Sequence, residues 1–147
     1  MAIIPPSIQN PESRVLILSQ HRPPIAGSSW EFPAGMVDEG EDGLDAGARE
    51  FSEETGIQVG PESLIPLGNF NSSPTLASDF VHAYALVLPS DFNTDSVTVQ
   101  VEEIEDYEWL TISDILERSL TNSDYSVTIP SMLFRARKLG LIEPLGL

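Results

Sequence analysis

Apolar positions along the chain fall into short runs separated by turn formers, and their period changes from run to run. Arg14 to Ser19 (Arg-Val-Leu-Ile-Leu-Ser) is a continuous apolar run of strand length, following a turn signal at Asn10-Pro11. Pro23-Pro24 and Gly27-Ser28-Ser29 read as loop, and Trp30 to Phe32 as a short strand stopped by Pro33. Leu64 to Phe70 reads as a strand, the Ser- and Pro-containing stretch Asn71 to Ser78 as a loop, and Phe80 to Leu88 as a strand stopped by Pro89. Val97 to Val101 and Ile104 to Leu110 alternate as half-buried strands do, with an acidic stretch at their junction. Thr111-Ile112-Ser113-Asp114 opens a short helix. Ile129-Pro130 opens the last one, which runs to about Leu139, carries Arg135, Arg137 and Lys138 near its end and stops at Gly140. Strands and helices interspersed in this way predict a mixed sheet between helices, an α/β fold. No repeat or linker divides residues 1–147, which read as one domain.

One further helix stands apart. Glu50, Glu53 and Glu54 lie at i, i+3 and i+4, which at roughly 100° per residue sets three carboxylates within one ~100° arc. Leu44, Ala48, Phe51 and Thr55 make a separate, mostly apolar face, while Gly43, Ala46 and Gly47 leave the carboxylate face nearly bare. Like charges at this spacing repel, and the macrodipole disfavours anions near a helix C-terminus. Arg49 alone cannot offset three. A bound dication can, and ligands that are all oxygen point to Mg2+ or Mn2+.

Composition narrows the partners. A content of 41% hydrophobic residues over 147 positions suits a packed globular chain. Net charge of −16 argues against nucleic acid, whose affinity rests on neutralised phosphates. With no cysteine there are no disulfides or thiolate ligands, and the start Met-Ala-Ile-Ile-Pro-Pro has neither a basic leader nor a membrane-length apolar run. A cytoplasmic protein with a small-molecule partner, off the membrane, is the expectation.

Gly35, Glu41, Arg49, Glu50, Phe51, Glu53, Glu54, Gly56 and Ile57 stand at every fixed place of the Nudix hydrolase signature, so residues 35–57 resemble that family, with Phe51 where an aliphatic residue is more usual. Outside the box, Gln20-His21-Arg22-Pro23-Pro24 and Trp30-Glu31-Phe32-Pro33-Ala34-Gly35 look like the ADP-ribose pyrophosphatase branch, as does Pro74 at its spacing after Ile57. Three departures stand against it: Thr75 follows the proline in place of Gly, Asp79 replaces a usual Glu, and the N-terminal strands that dimerise and cover the adenine in long members are almost absent. Substrate identity and a homodimer both stay open here.

The resemblance implies an α/β/α sandwich and Mg2+-dependent cleavage of a diphosphate joining a nucleoside to a sugar, ADP-ribose first and GDP-mannose as the rival. A non-catalytic ADP-ribose sensor is the alternative of another class, although such modules lose box glutamates and this chain keeps them. By the same resemblance Glu50, Glu53, Glu54 and the Ala34 carbonyl hold metal, and Glu53, Glu54 and Arg49 belong to the catalytic set, Arg49 orienting Glu53. Glu41 stabilises the loop rather than the metal. Gly35 lets the loop approach the helix, and Gly56 is a left-handed cap. The general base falls in the acidic stretch at Glu102, Glu103 or Glu105, with Glu103 favoured. Arg22, Trp30 and Glu31 are the substrate-contact candidates. Arg22 also suits a structural strand end, Trp30 a core position, and His82, in an apolar strand, a satisfied core histidine.

Overall fold

The computed structural model describes residues 1–71 and 80–144. In chain order these form β1 (Ala2–Ile4), β2 (Arg14–Arg22), β3 (Gly27–Glu31), α1 (Gly43–Thr55), β4 (Leu64–Asn71), β5 (Phe80–Val87), β6 (Ile104–Thr111), α2 (Ile112–Thr121) and α3 (Thr128–Lys138). The expected mixed sheet between helices is present. Leu16 and Leu18 of β2 face Phe51 of α1, while Val15 and Ile17 face Ile129 and Leu133 of α3. Burial on both faces is why β2 reads as an unbroken apolar run.

Register gives the sheet its functional shape. Along one edge β2 pairs antiparallel with β6, from Arg14↔Thr111 to Gln20↔Ile104. Its other edge is shared: Arg14 and Val15 take β1, and Leu18 to Arg22 take β3. β1 continues the sheet to β5 in parallel, Ala2↔Leu86 and Ile3↔Val87, and β5 carries β4. β1 pairs with β5 only from Leu86 onward, and the first half of β5, Phe80 to Ala83, runs for about 13 Å with no strand between it and β3 among the described residues. The result is a cleft between β3 and β5, floored by Met1.

Local chemistry sets the ends of α1. Asp42 caps its start, accepting from Leu44 N–H at 2.8 Å, and Gly56 ends it at φ 71°. Only glycine adopts that backbone freely, and a Cβ there would also press within 3.1 Å of Thr98. Gly56→Ala is therefore expected to lower stability by about 1–2 kcal/mol, read as a shift in denaturation midpoint at constant m.

Two expectations are corrected and one strand is added. Residues 97–101 form no strand: Thr98 N–H bonds to Thr55 O at the end of α1, so the alternation reflects packing on a helix terminus. Residues 27–29 belong to β3, paired with β2, rather than to a loop. β1 was unforeseen, three residues being too few to show a period. The loop expected over 71–78, with Pro74, Thr75 and Asp79, lies outside the described residues, apart from Asn71, which closes β4. Among the described residues no helix is long and apolar enough to cross a membrane.

Candidate functional site

The loop between β3 and α1 folds back over the helix, and Arg49 holds it there. Its guanidinium grips Glu41 with two bonds of 2.9 Å, donates to Met36 O at 2.9 Å and reaches Glu50 Oε1 at 2.8 Å. Glu53 Oε2 is farther, at 3.4 Å. Arg49 thus serves Glu41 and Glu50 first, and Glu53 only weakly. Glu41 closes the loop as expected, accepting from Asp38 N–H at 3.0 Å, and the Arg49 bonds hold its carboxyl down to about 2.

The three α1 carboxylates sit in different surroundings. Glu53 has a half-exposed side chain. Glu50 lies under the loop, where a Cβ on Gly35 would overlap its carboxylate. Glu54 is 3% exposed. Its Oε1 accepts from Gln20 Nε2 at 2.5 Å and its Oε2 from Ala34 N–H at 3.0 Å. Burial pushes its carboxyl up to about 7, with the Glu50 charge adding to the rise, while the bonds from Gln20 and Ala34 and the charge of Arg22 hold it back. Gln20 was missed as a site residue. Its only signal was an amide ending the apolar run of β2, where a buried polar group needs a partner.

Among the described residues no three Asp, Glu, His or Cys side chains converge tightly enough to hold a metal as they stand. The donor set nonetheless fits a hard dication. Glu50, Glu53 and Glu54 supply only oxygen, a buried carboxylate at Glu54 gains from a cation, and the missing Cβ at Gly35 leaves Glu50 its place. The Ala34 carbonyl belongs to the same turn, its N–H already on Glu54.

The remaining candidates divide between two sides of the sheet. Arg22 and Glu31 lock together, Nε–Oε1 at 2.8 Å and Nη2–Oε2 at 2.9 Å, and the charges of Glu54 and Glu103 also act on Arg22. Glu31 lines the cleft. Trp30 does not; it faces the α3 layer and stacks on Tyr125 at 6.3 Å. Of the acidic trio, Glu103 closes the turn before β6, its N–H donating to Gln100 O at 3.0 Å, and Glu105 accepts from Ser28 Oγ at 2.5 Å. All three are exposed. His82 is not a core histidine: it is exposed in the cleft, beside Gly43 at the start of α1. The glycine face of α1 is not bare either. A Cβ at Gly43 would lie 2.9 Å from Tyr84 Oη and one at Gly47 3.2 Å from Tyr84 Cδ2, so these glycines let the helix press onto β5.

A family model described as NUDIX domain matches residues 2–129. The chain is 36% identical over 73 residues to a methanol dehydrogenase activator of Bacillus methanolicus, and 32% identical over 73 residues to an ADP-ribose pyrophosphatase of Bacillus subtilis. Each alignment covers 50% of this chain and 38% of the relative, so the chain matches well under half of the length of either. The crystal structure of a C. elegans Ap4A hydrolase binary complex superposes with a TM-score of 0.68 over 95% of this chain and 93% of that one, at 21% identity. At that identity the likeness establishes fold.

Proposed function

The chain belongs to the Nudix family, and from that premise we propose that it hydrolyses the diphosphate linkage between a nucleoside and a sugar, releasing from ADP-ribose AMP and ribose 5-phosphate. The observation that carries this reading is the α1 cluster, with Glu54 buried behind it and Glu50 seated against the glycine at 35. The name of the Bacillus subtilis relative supports ADP-ribose as the first substrate to try.

Dications held by Glu50, Glu53, Glu54 and the Ala34 carbonyl would neutralise the diphosphate oxygens and acidify the attacking water. The protein's own part is to hold and to accept. Arg49 fixes the loop through Glu41 and keeps Glu50 beside it. Gln20 fixes Glu54 from behind. Water oxygen adds to one phosphorus, the bridging P–O bond breaks, and the departing phosphate keeps the electron pair. Glu103 accepts the water proton, a role supported by its charge reaching Arg22 beside Glu54.

A panel of ADP-ribose, GDP-mannose and other nucleotide sugars with Mg2+, read by phosphatase-coupled phosphate release, tests the class. Turnover of at least one supports it. No turnover on any, with ADP-ribose still binding, overturns hydrolysis in favour of a sensor. Glu103→Gln is expected to slow kcat by about tenfold with metal affinity unchanged, less than loss of a fixed base because Glu102 adjoins it. A larger loss from Glu102→Gln or Glu105→Gln would reassign the base.

A further inference from the structure

The outward side of α3 departs from an ordinary solvated helix face. At roughly 100° per residue, the buried Ile129, Leu133 and Ala136 cluster on the side turned to the core. Val127 already has helical backbone angles, φ −62° and ψ −15°. With Ser131, Phe134 and Lys138 it falls within a ~60° arc on the opposite side. Polar residues normally occupy that side of a surface helix. Here Val127 is 78% exposed and Phe134 53%.

The two ends of this stripe carry opposite charges. Of the seven Lys and Arg in a chain of net charge −16, three stand in the last turn of α3. Arg135 is engaged, donating to Leu67 O at 2.9 Å and lying over the Phe70 ring. Arg22, Arg49 and Arg118 sit in ion pairs elsewhere. Arg137 and Lys138 are exposed and, among the described residues, have no carboxylate partner. The start of α3 shows the converse. Asp124 is exposed without a cation among the described residues, and its segment is pinned to β3. Trp30 N–H donates to Asp124 O at 2.7 Å and Ser126 N–H to Trp30 O at 2.9 Å. Acid, two apolar groups around a small one, then base is an order that complements itself when reversed. A charge of −16 repels a second copy from acidic faces, and this cation-bearing stripe is where that repulsion is least.

We propose that α3 is a homodimer interface, two copies packing their outward stripes antiparallel about a two-fold axis at mid-helix. Reversal sets Phe134 over the partner's Ser131, where a small side chain leaves room. Lys138 then lies along the partner's Val127, with the partner's Asp124 only three residues, about 11 Å at most, further on. The exposed charge pairs add little energy and set the orientation, while Phe134 and Val127 supply the burial. Sedimentation velocity from about 5 to 500 µM protein in ~0.15 M salt is expected to show a monomer–dimer equilibrium, weak because the face is small. Phe134→Ser, Lys138→Glu and Asp124→Lys each raise the dimer dissociation constant about tenfold or more, since a two-fold interface counts every change twice. Circular dichroism and the denaturation midpoint confirm that these exposed-site variants fold. An equimolar mixture of Lys138→Glu and Asp124→Lys dimerises within about threefold of wild type, because one charge pair is then reversed and the other intact. Val101→Ala, equally exposed in the turn before β6, changes nothing. A wild type that stays monomeric throughout, a dimer that survives Phe134→Ser, or a mixture no tighter than its components overturns the proposal. No metal or turnover enters these measurements, so they stand apart from the hydrolase reading.

Discussion

Glu54→Gln is expected to fold and to lose about 10²-fold or more in kcat, the scale of a lost preorganised electrostatic contact. The fold survives because the amide can satisfy the same neighbours. Its oxygen takes the Ala34 N–H, and its NH2 meets Gln20, whose own amide rotates to present oxygen. Only the charge is gone. The metal-free protein should show this through pH. With Glu54 held up at about 7 against an ordinary 4.5, the folded state retains a proton that the unfolded chain releases in that window. Glu54's own contribution to stability therefore falls as pH rises from about 4.5 to about 7, by an amount on the order of 3 kcal/mol, and appears as the difference between wild type and Gln variant, since the Met1 amine, which burial holds down to about 5, gives both proteins an opposite slope. Urea titrations in EDTA at a series of pH values measure it. Adding Mg2+ above pH 7 should restore the wild type more than the variant. Near-normal turnover by Glu54→Gln would remove it from the ligand set.

The contrast between Glu54 and its neighbours also marks where the sequence could be read. Spacing on a helix is local, so the common arc of Glu50, Glu53 and Glu54 followed from numbering alone, as did the left-handed cap at Gly56. Contacts that join distant segments were not so accessible. Gln20 reaches Glu54 across 34 residues because β2 brings its end under α1, and no periodicity announces that. His82 misled for a related reason. Its strand has a buried pattern at Ala83, Ala85 and Leu86, but His82 faces Gly43 at the first turn of α1, where the helix leaves it exposed. The alternation at 97–101 was real, yet its partner was the end of α1, with Thr98 bonded to Thr55. Hydrophobic period reports which side is buried and not what buries it. The split of the sheet, and hence the cleft, is a property of register, which one strand cannot reveal.

Register also explains why a single methyl group at position 35 should matter more to activity than to folding. In Gly35→Ala the new Cβ would fall on the Glu50 carboxylate, the free end of a side chain rather than backbone. Glu50 can swing aside at small conformational cost, so the denaturation midpoint should move little. Swinging aside breaks its 2.8 Å bond to Arg49 Nη1 and carries one ligand out of the cluster. Misplacement of a reacting group by about 1 Å can cost about 10²-fold, and the expected loss in kcat/KM is of that order. Dication affinity measured by calorimetry should drop in parallel, because the same carboxylate serves both. Glu50→Gln should resemble Gly35→Ala in turnover, and the double variant should be scarcely worse than either, since both remove one ligand by different means. A Gly35→Ala protein with unimpaired turnover and metal uptake would show that Glu50 has no part in the centre.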